Sequence, residues 1–306
     1  MDYAASWRLR NCLLVNGFWR SGTTWLQQTL VQSLKAKSLF EPFSPAAGQR
    51  WDRLCPGASE ASRHIYMPLS ADSFARRDKI KLHLAMRGVG THGYAHFLRD
   101  AAQKTDGRNL VVKFTRLGFL LDDMAEIYNT PIIHIRRNPA AVYASFKETD
   151  WSWRFEDVRF SEIYSPDNHE PGTPAHERAT TLMRFDQSPV RRFAALWSLS
   201  EQAAQESVNA NRARLVSYED VLRRGASVLN RLQITSIKVA ASEKASPVTS
   251  LGREKLSAKQ RQNDWQRRLT REEIESIADI SQELFPANGY FGKDVVSGRM
   301  LDSNVR

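Results

Sequence analysis

"NGFWRSGTTWLQQTL", running from Asn16 to Leu30, is the stretch on which the fold turns. Two glycines, Gly17 and Gly22, follow an apolar run and precede an amphipathic one. This is the layout of a strand, a phosphate-gripping loop and a helix, whose first backbone N–H groups and dipole converge on an anion. An ordinary tight turn between strand and helix reads the same way on this stretch alone. Where a GxxxxGK[ST] nucleotide loop has its lysine, this chain has Thr23, and the nearest positive charge, Arg20, lies inside the loop. Thr23 and Thr24 add hydroxyl donors.

Outward from that stretch, four short runs rich in Val, Ile and Leu predict buried parallel strands: Cys12–Val15, Leu110–Phe114, Pro131–Ile135 and Arg214–Tyr218. Helical patterns separate them. Leu26, Leu30, Val31 and Leu34 share one helical face after the first run. In "RRNPAAVYASFKE", Asn138 is an N-cap and Pro139 a first helical residue, where a missing N–H costs nothing. Val190, Phe193, Trp197, Ala204 and Val208 outline a long amphipathic helix, and Thr270–Glu273 ("TREE") is a capping box ahead of Ile274, Ile277, Ala278 and Leu284. Strands alternating with helices predict an α/β fold, a central parallel sheet flanked by helices in a three-layer, P-loop-NTPase-like arrangement, with ligand at the carboxyl ends of the strands.

The 306 residues suit a single domain spanning 1–306. Segments 41–80 and 149–189, dotted with Pro, Gly and Asp, break the pattern and read as irregular walls and lid of an acceptor site. With 42% hydrophobic and 25% charged residues, the composition is that of a globular protein. Lys and Arg number 44 against 34 for Asp and Glu, a net charge of +10 that draws polyanions. The sequence has no zinc-finger spacing, RNP aromatics or basic zipper, so nucleic acid is not the expected partner. Cys12 and Cys55 have no metal-ligand spacing and suggest a reducing compartment. With no window near the ~20 apolar residues of a membrane span and no signal-type start, the expectation is a cytoplasmic protein, compatible with a homodimer.

At "FWRSGTTW" the resemblance becomes specific: this loop is similar to the 5′-phosphosulfate loop of sulfotransferases that use 3′-phosphoadenosine 5′-phosphosulfate (PAPS). Arginine at position 20, where many members have lysine, is similar to the carbohydrate and tyrosylprotein branches. "RRNPAAVYAS" resembles the 3′-phosphate segment, with Arg137 at a strand end and Ser145 eight positions later. An arginine so placed can clamp a phosphate with paired, charge-assisted hydrogen bonds, though the same residues also read as a surface arginine before an Asn-Pro cap. In "LVSYED" Tyr218, and in the loop Trp25, correspond to aromatics that contact the adenine; either could equally be core. "KQRQNDWQRRLT" resembles the C-terminal segment that closes over the 3′-phosphate. It keeps Lys259 but has Ala258 and Gln260 where arginine and glycine are expected, and Arg261 is a substitute. The resemblance implies donor binding by Arg20, Ser21, Gly22, Thr23, Thr24, Trp25, Arg137, Ser145, Tyr218, Lys259 and Arg261, with PAPS as co-substrate and adenosine 3′,5′-bisphosphate (PAP) as product. A singly charged sulfonate needs no metal clamp.

Transfer of a sulfonate to a hydroxyl requires a base, and cations for the charge that develops on the leaving phosphate. Arg20 fits the cationic role, and the resemblance adds Lys113, where the small-molecule branch carries a lysine. The small-molecule branch uses a histidine in a Lys-Thr-His segment; here "KFTRLG" offers Thr115 and Arg116, and a guanidinium accepts no proton at neutral pH. Glu41 in "LFEPFSP" stands where the resemblance places a glutamate base, although it also reads as a loop carboxylate paired with an arginine. His83 in "KIKLHLAMRG" is the alternative base or a structural residue. Trp151 and Trp153 could stack on an acceptor or pack in the core. The expected activity is sulfonate transfer to a glycan, glycolipid or small-molecule hydroxyl; a P-loop kinase and a non-catalytic nucleotide- or sulfate-binding protein are the rivals.

Overall fold

The computed structural model describes residues 12–47, 55–71, 76–86, 109–149, 151, 153–225, 227–230 and 264–291. Its strands are β1 (Cys12–Asn16), β2 (Lys37–Phe40), β3 (Leu110–Phe114), β4 (Ile132–Arg136) and β5 (Arg214–Ser217). Four coincide with the expected runs. The fifth, β2, does not stand out in the sequence. The helices are α1 (Thr23–Leu34), α2 (Glu60–Ile65), α3 (Arg76–Met86), α4 (Leu121–Tyr128), α5 (Pro139–Lys147), α6 (Phe160–Ile163), α7 (Pro174–Met183), α8 (Pro189–Asn209), α9 (Tyr218–Arg224), α10 (Ser227–Asn230) and α11 (Arg271–Leu284). The segments expected to be irregular therefore hold α2, the start of α3, α6 and α7. Several of these helices begin at side-chain caps, on Ser59 for α2 and Thr173 for α7.

All five strands are parallel, in the order β2-β3-β1-β4-β5. The chain leaves β1 for the β2 edge, returns through β3, and then crosses to β4 on the other side of β1. The connections thus diverge at the carboxyl end of β1, which is where open parallel sheets leave a crevice for ligand. Side chains alternate across the pleat and feed two separate cores. Leu14, Val112, Phe114 and Ile132 face one, built largely from α8, α11 and the 153–185 segment; Leu13, Val15, Val111, Ile133, Ile135 and Val216 face the other, with Leu26, Leu30 and Val31 of α1. Helices on both faces give the expected three layers.

The predicted caps form. The Asn138 side chain accepts a hydrogen bond from the Ala141 N–H with Pro139 in the first turn, and Thr270 and Glu273 close a reciprocal capping box. Thr270 and the α8 cap Ser188 each satisfy a backbone donor that the helix itself leaves unpaired.

One polar network crosses the larger core. Asn16 Nδ2 lies 3.0 Å from His134 Nδ1, and His134 Nε2 lies 2.7 Å from Glu201 Oε2 on α8. Arg136 Nε donates to the same oxygen at 2.8 Å, Arg136 Nη1 donates to Gln205 at 3.0 Å, and the guanidinium stands over the Phe285 ring. Burial alone would raise the Glu201 carboxyl, but His134 and Arg136 outweigh it and hold it below the usual carboxylate range. The network ties α8 to the last residues of β1 and β4, from which the loop and the second arginine depart. Replacing Glu201 with leucine leaves the buried Arg136 charge without its counter-charge. Urea unfolding should then report a loss of about 3–5 kcal/mol; a loss of about 0–1 kcal/mol, the range of exposed pairs, would contradict this role.

Candidate active site

The loop between β1 and α1 is shaped by what it touches. Gly22 has φ +93°, and a Cβ there would sit 2.7 Å from the Tyr218 ring; a Cβ on Gly17 would sit 2.5 Å from the Ile135 carbonyl oxygen. Only glycine allows both approaches. Phe18 and Trp19 turn into the core, packed edge to face at 5.0 Å, and anchor the loop from below. Arg20 adopts φ +64°. Ser21, Thr23 and Thr24 are buried where the N–H groups of α1 begin, and the Ser21 hydroxyl has no hydrogen-bond partner among the described residues. A buried, unpaired donor beside a helix start is what an anion site requires.

The two expected anion motifs adjoin. Arg20 Nε donates to Ser145 Oγ at 3.0 Å, and Arg137 Nη1 donates to the Arg20 carbonyl at 2.8 Å. The Arg137 guanidinium covers the Tyr218 ring at 4.4 Å, and its buried Nε has no partner among the described residues. Tyr218 thus packs against Gly22 and Arg137 together. Trp25 is half-buried against the smaller core.

A second cluster closes the β2–β3 side. Glu41, with φ +46°, follows β2 directly and its N–H donates to the Lys113 carbonyl at 2.9 Å. Its carboxylate takes Lys113 Nζ at 2.7 Å on one oxygen, and on the other the Thr115 N–H at 3.2 Å and Arg116 Nη1 at 3.5 Å. Arg116 also stacks on Trp19 and donates to the His64 carbonyl at 2.8 Å. Burial pulls the Lys113 amine down, Glu41 pushes it back up, and Arg116 and Arg20 lower it further. Two cations and one backbone N–H therefore converge on one carboxylate. Sequence reasoning weighed Arg116 only as a failed base; that it would hold Glu41 is decided by the turn after β3.

Aromatic rings form the adjoining wall. Arg20 lies 5.6 Å above Trp151, Trp151 stacks on Trp153 at 4.6 Å, and Trp153 stacks on the His64 ring at 5.5 Å. The segment carrying them is pinned: Arg192 donates to the Phe155 and Asp186 carbonyls, and the Asp186 carboxylate accepts the Phe160 and Ser161 N–H groups. It also packs on the 55–71 segment, where Glu162 accepts from Ser59 and the Tyr164 hydroxyl accepts the Met67 N–H.

His83 is not brought to these residues. It lies on α3 with its ring stacked on Tyr128, at the end of α4 that leads into β4, hence toward the amino ends of the strands. Lys259 and Arg261 lie outside the described residues. The following turn, Asp264–Arg267, is described, and next to it Arg268 pairs with Glu148 and Asp264 and reaches the Ala144 carbonyl, beside Ser145. Among the described residues there is no cluster of metal-ligating side chains, and no helix is long and apolar enough to cross a membrane.

Residues 13–234 match a family profile described as "Sulfotransferase family". A search of curated protein sequences gave no match. Among solved structures, the chain is similar to the sulfotransferase domain from the curacin biosynthetic pathway, at 16% identity over 74% of this chain and 73% of that one with a TM-score of 0.34. It is also similar to the sulfotransferase domain of the Synechococcus PCC 7002 olefin synthase, at 17% identity over 90% and 96% with a TM-score of 0.39. A third is retinol dehydratase in a complex with retinol and PAP, at 15% identity over 98% and 84% with a TM-score of 0.31.

The wall carries a pH signature. Burial, reinforced by the Arg116 charge, lowers His64 from 6.5 to about 4. Between those values the unfolded chain binds a proton that the folded chain refuses, so this residue subtracts stability as pH falls through that window and contributes nothing above it. His64→Gln should therefore lose less thermal stability than the wild type between pH 6.5 and pH 4. Parallel melting curves for the two proteins would refute this.

Proposed function

The chain belongs to the sulfotransferase family, and on that basis we propose that it transfers a sulfonate from PAPS to a hydroxyl of a glycan, glycolipid or small-molecule acceptor. The observation that carries this reading is the contact of Arg20 with both Ser145 and Arg137 at the carboxyl ends of β1 and β4, so that two anion-binding motifs share one crevice. The residues present suit the donor. Ser21 Oγ and Arg137 Nε are buried polar atoms without partners among the described residues, and the absence of a Cβ on Gly22 lets the Tyr218 ring lie directly against the loop.

In this reading the loop N–H groups, Thr23 and Thr24 hold the 5′ end of the donor, Arg137 and Ser145 hold the 3′-phosphate, and Trp25 and Tyr218 bracket the base. Lys259 and Arg261 are assigned to the 3′-phosphate on the resemblance alone. The acceptor oxygen forms a bond to sulfur while the bond from sulfur to the 5′-phosphate oxygen breaks, and that oxygen keeps the electron pair. Arg20 and Lys113 offset the charge left there, an effect that is large in a site closed to water. Glu41 takes the acceptor proton. Because its oxygens are already occupied, it does so by exchanging its longest contact, Arg116 at 3.5 Å, for the acceptor hydroxyl. The 41–80 and 149–189 segments, with Trp151 beside Arg20, flank the acceptor side.

Two measurements test the proposal. PAP should raise the melting temperature of the protein, whereas ATP with magnesium should not; the reverse pattern would favour a kinase. Glu41→Gln should lower kcat for sulfonate transfer by roughly 10²- to 10⁴-fold while the Kd for PAP stays unchanged. Full retention of turnover would remove Glu41 as the base.

A further inference from the structure

Arg136 and Arg137 are adjacent in sequence and opposite in circumstance. Arg136 is neutralised by Glu201. No carboxylate among the described residues pairs with Arg137, yet Glu219, the second residue of α9, is directed at the backbone next to it. Glu219 Oε1 accepts the Asn138 N–H at 2.9 Å, and Oε2 accepts the hydroxyls of Ser217 at 2.9 Å and Tyr290 at 3.3 Å.

The Asn138 N–H belongs to the peptide that joins Arg137 to Asn138. Fixing it fixes the plane on which the Arg137 side chain is mounted and the entry into α5. The same short segment also grips the other end of Arg137, because the Tyr218 ring lies 4.4 Å from its guanidinium. Tyr290 supplies the third point: its ring packs against Trp197 of α8 at 6.2 Å, and burial, then the neighbouring Glu219 charge, push its phenol far above the usual range, so it remains a donor. Had Glu219 paired with the guanidinium itself, the charge available to an anion would be cancelled. By binding a backbone amide and two hydroxyls, it orients the arginine and leaves that charge free of a carboxylate.

We propose that Glu219 is a positioning residue that aims Arg137 at the 3′-phosphate of the donor, with Tyr290 linking that aim to the chain's C-terminal part. The proposal rests on the assignment of Arg137 to the 3′-phosphate. Calorimetric titration with PAP and with adenosine 5′-monophosphate, which lacks the 3′-phosphate, tests it. Glu219→Ala should weaken PAP binding about tenfold and leave the monophosphate within about twofold. Glu219→Asp, which keeps the charge but withdraws the carboxylate by one methylene, should show the same preferential loss and serves if the alanine variant fails to fold. Glu219→Gln, which still offers an oxygen to the Asn138 N–H, should retain most of the PAP affinity. Equal losses for both nucleotides, or no loss for either, in the alanine and aspartate variants would overturn the proposal. Arg137→Ala separates the two levels: if it discriminates between the nucleotides and the Glu219 variants do not, the positioning role alone fails, and if it weakens both equally, the 3′-phosphate assignment itself fails.

Discussion

The parallel pairing of β1 with β4, in register from Leu14 with Ile132 to Asn16 with His134, is the constraint on which the site depends. It places the end of one strand, where the glycine loop begins, beside the end of another, where Arg137 begins. Gly17 can then lie against the Ile135 carbonyl, and Arg137 can reach the Arg20 carbonyl across the gap. A slip of one residue in this register would turn every side chain of β4 to the other face and exchange Arg136 for Arg137. The Asn16–His134–Glu201–Arg136 network acts against such a slip, since its hydrogen bonds and ion pairs form only when β4 faces α8 in this register.

The same alternation sorts the charges. Among the buried carboxylates, Glu201 is committed to His134 and Arg136 inside the larger core, and Glu41 to Lys113 and Arg116 at the β2–β3 end. Arg137 instead donates to the Arg20 carbonyl and pairs with no carboxylate among the described residues, and Arg20 donates to the Ser145 hydroxyl. The Arg137 charge at the crevice is thus not cancelled by a carboxylate among the described residues, an arrangement that favours an anionic ligand over a neutral one. The aromatic wall of Trp151, Trp153 and His64 continues from Arg20 and lies against packed, hydrogen-bonded chain.

Much of the fold was legible because local rules and tertiary packing agree. Val, Ile and Leu runs form the strands, three of them buried and β5 an edge strand with only Val216 buried, and Asn138, Thr270 and the glycine loop behave as their residue types require. The misses have physical reasons. β2 is an edge strand of four residues whose first two, Lys37 and Ser38, are exposed or half-exposed, so it lacks the apolar run that marks the central strands. Segments 41–80 and 149–189 read as irregular because proline is a breaker in the interior of a helix. Pro174, however, occupies the first turn of α7, where it pre-forms the start.

Within the site, the sequence alone determined the chemistry on offer: a glycine loop with an arginine, a second arginine at a strand end with a serine eight positions later in the following helix, and a glutamate where the resemblance places a base. These follow from residue type and spacing along one element and its neighbours. Only the tertiary structure decided which of those groups meet. It joined Arg20 to Ser145, set Lys113, Thr115 and Arg116 around Glu41, left His83 beside Tyr128, and directed Glu219 at the peptide after Arg137. Contacts of this kind join residues up to 125 positions apart in the chain; they depend on strand order and on which face of the pleat each side chain occupies, and neither is encoded within a single local stretch.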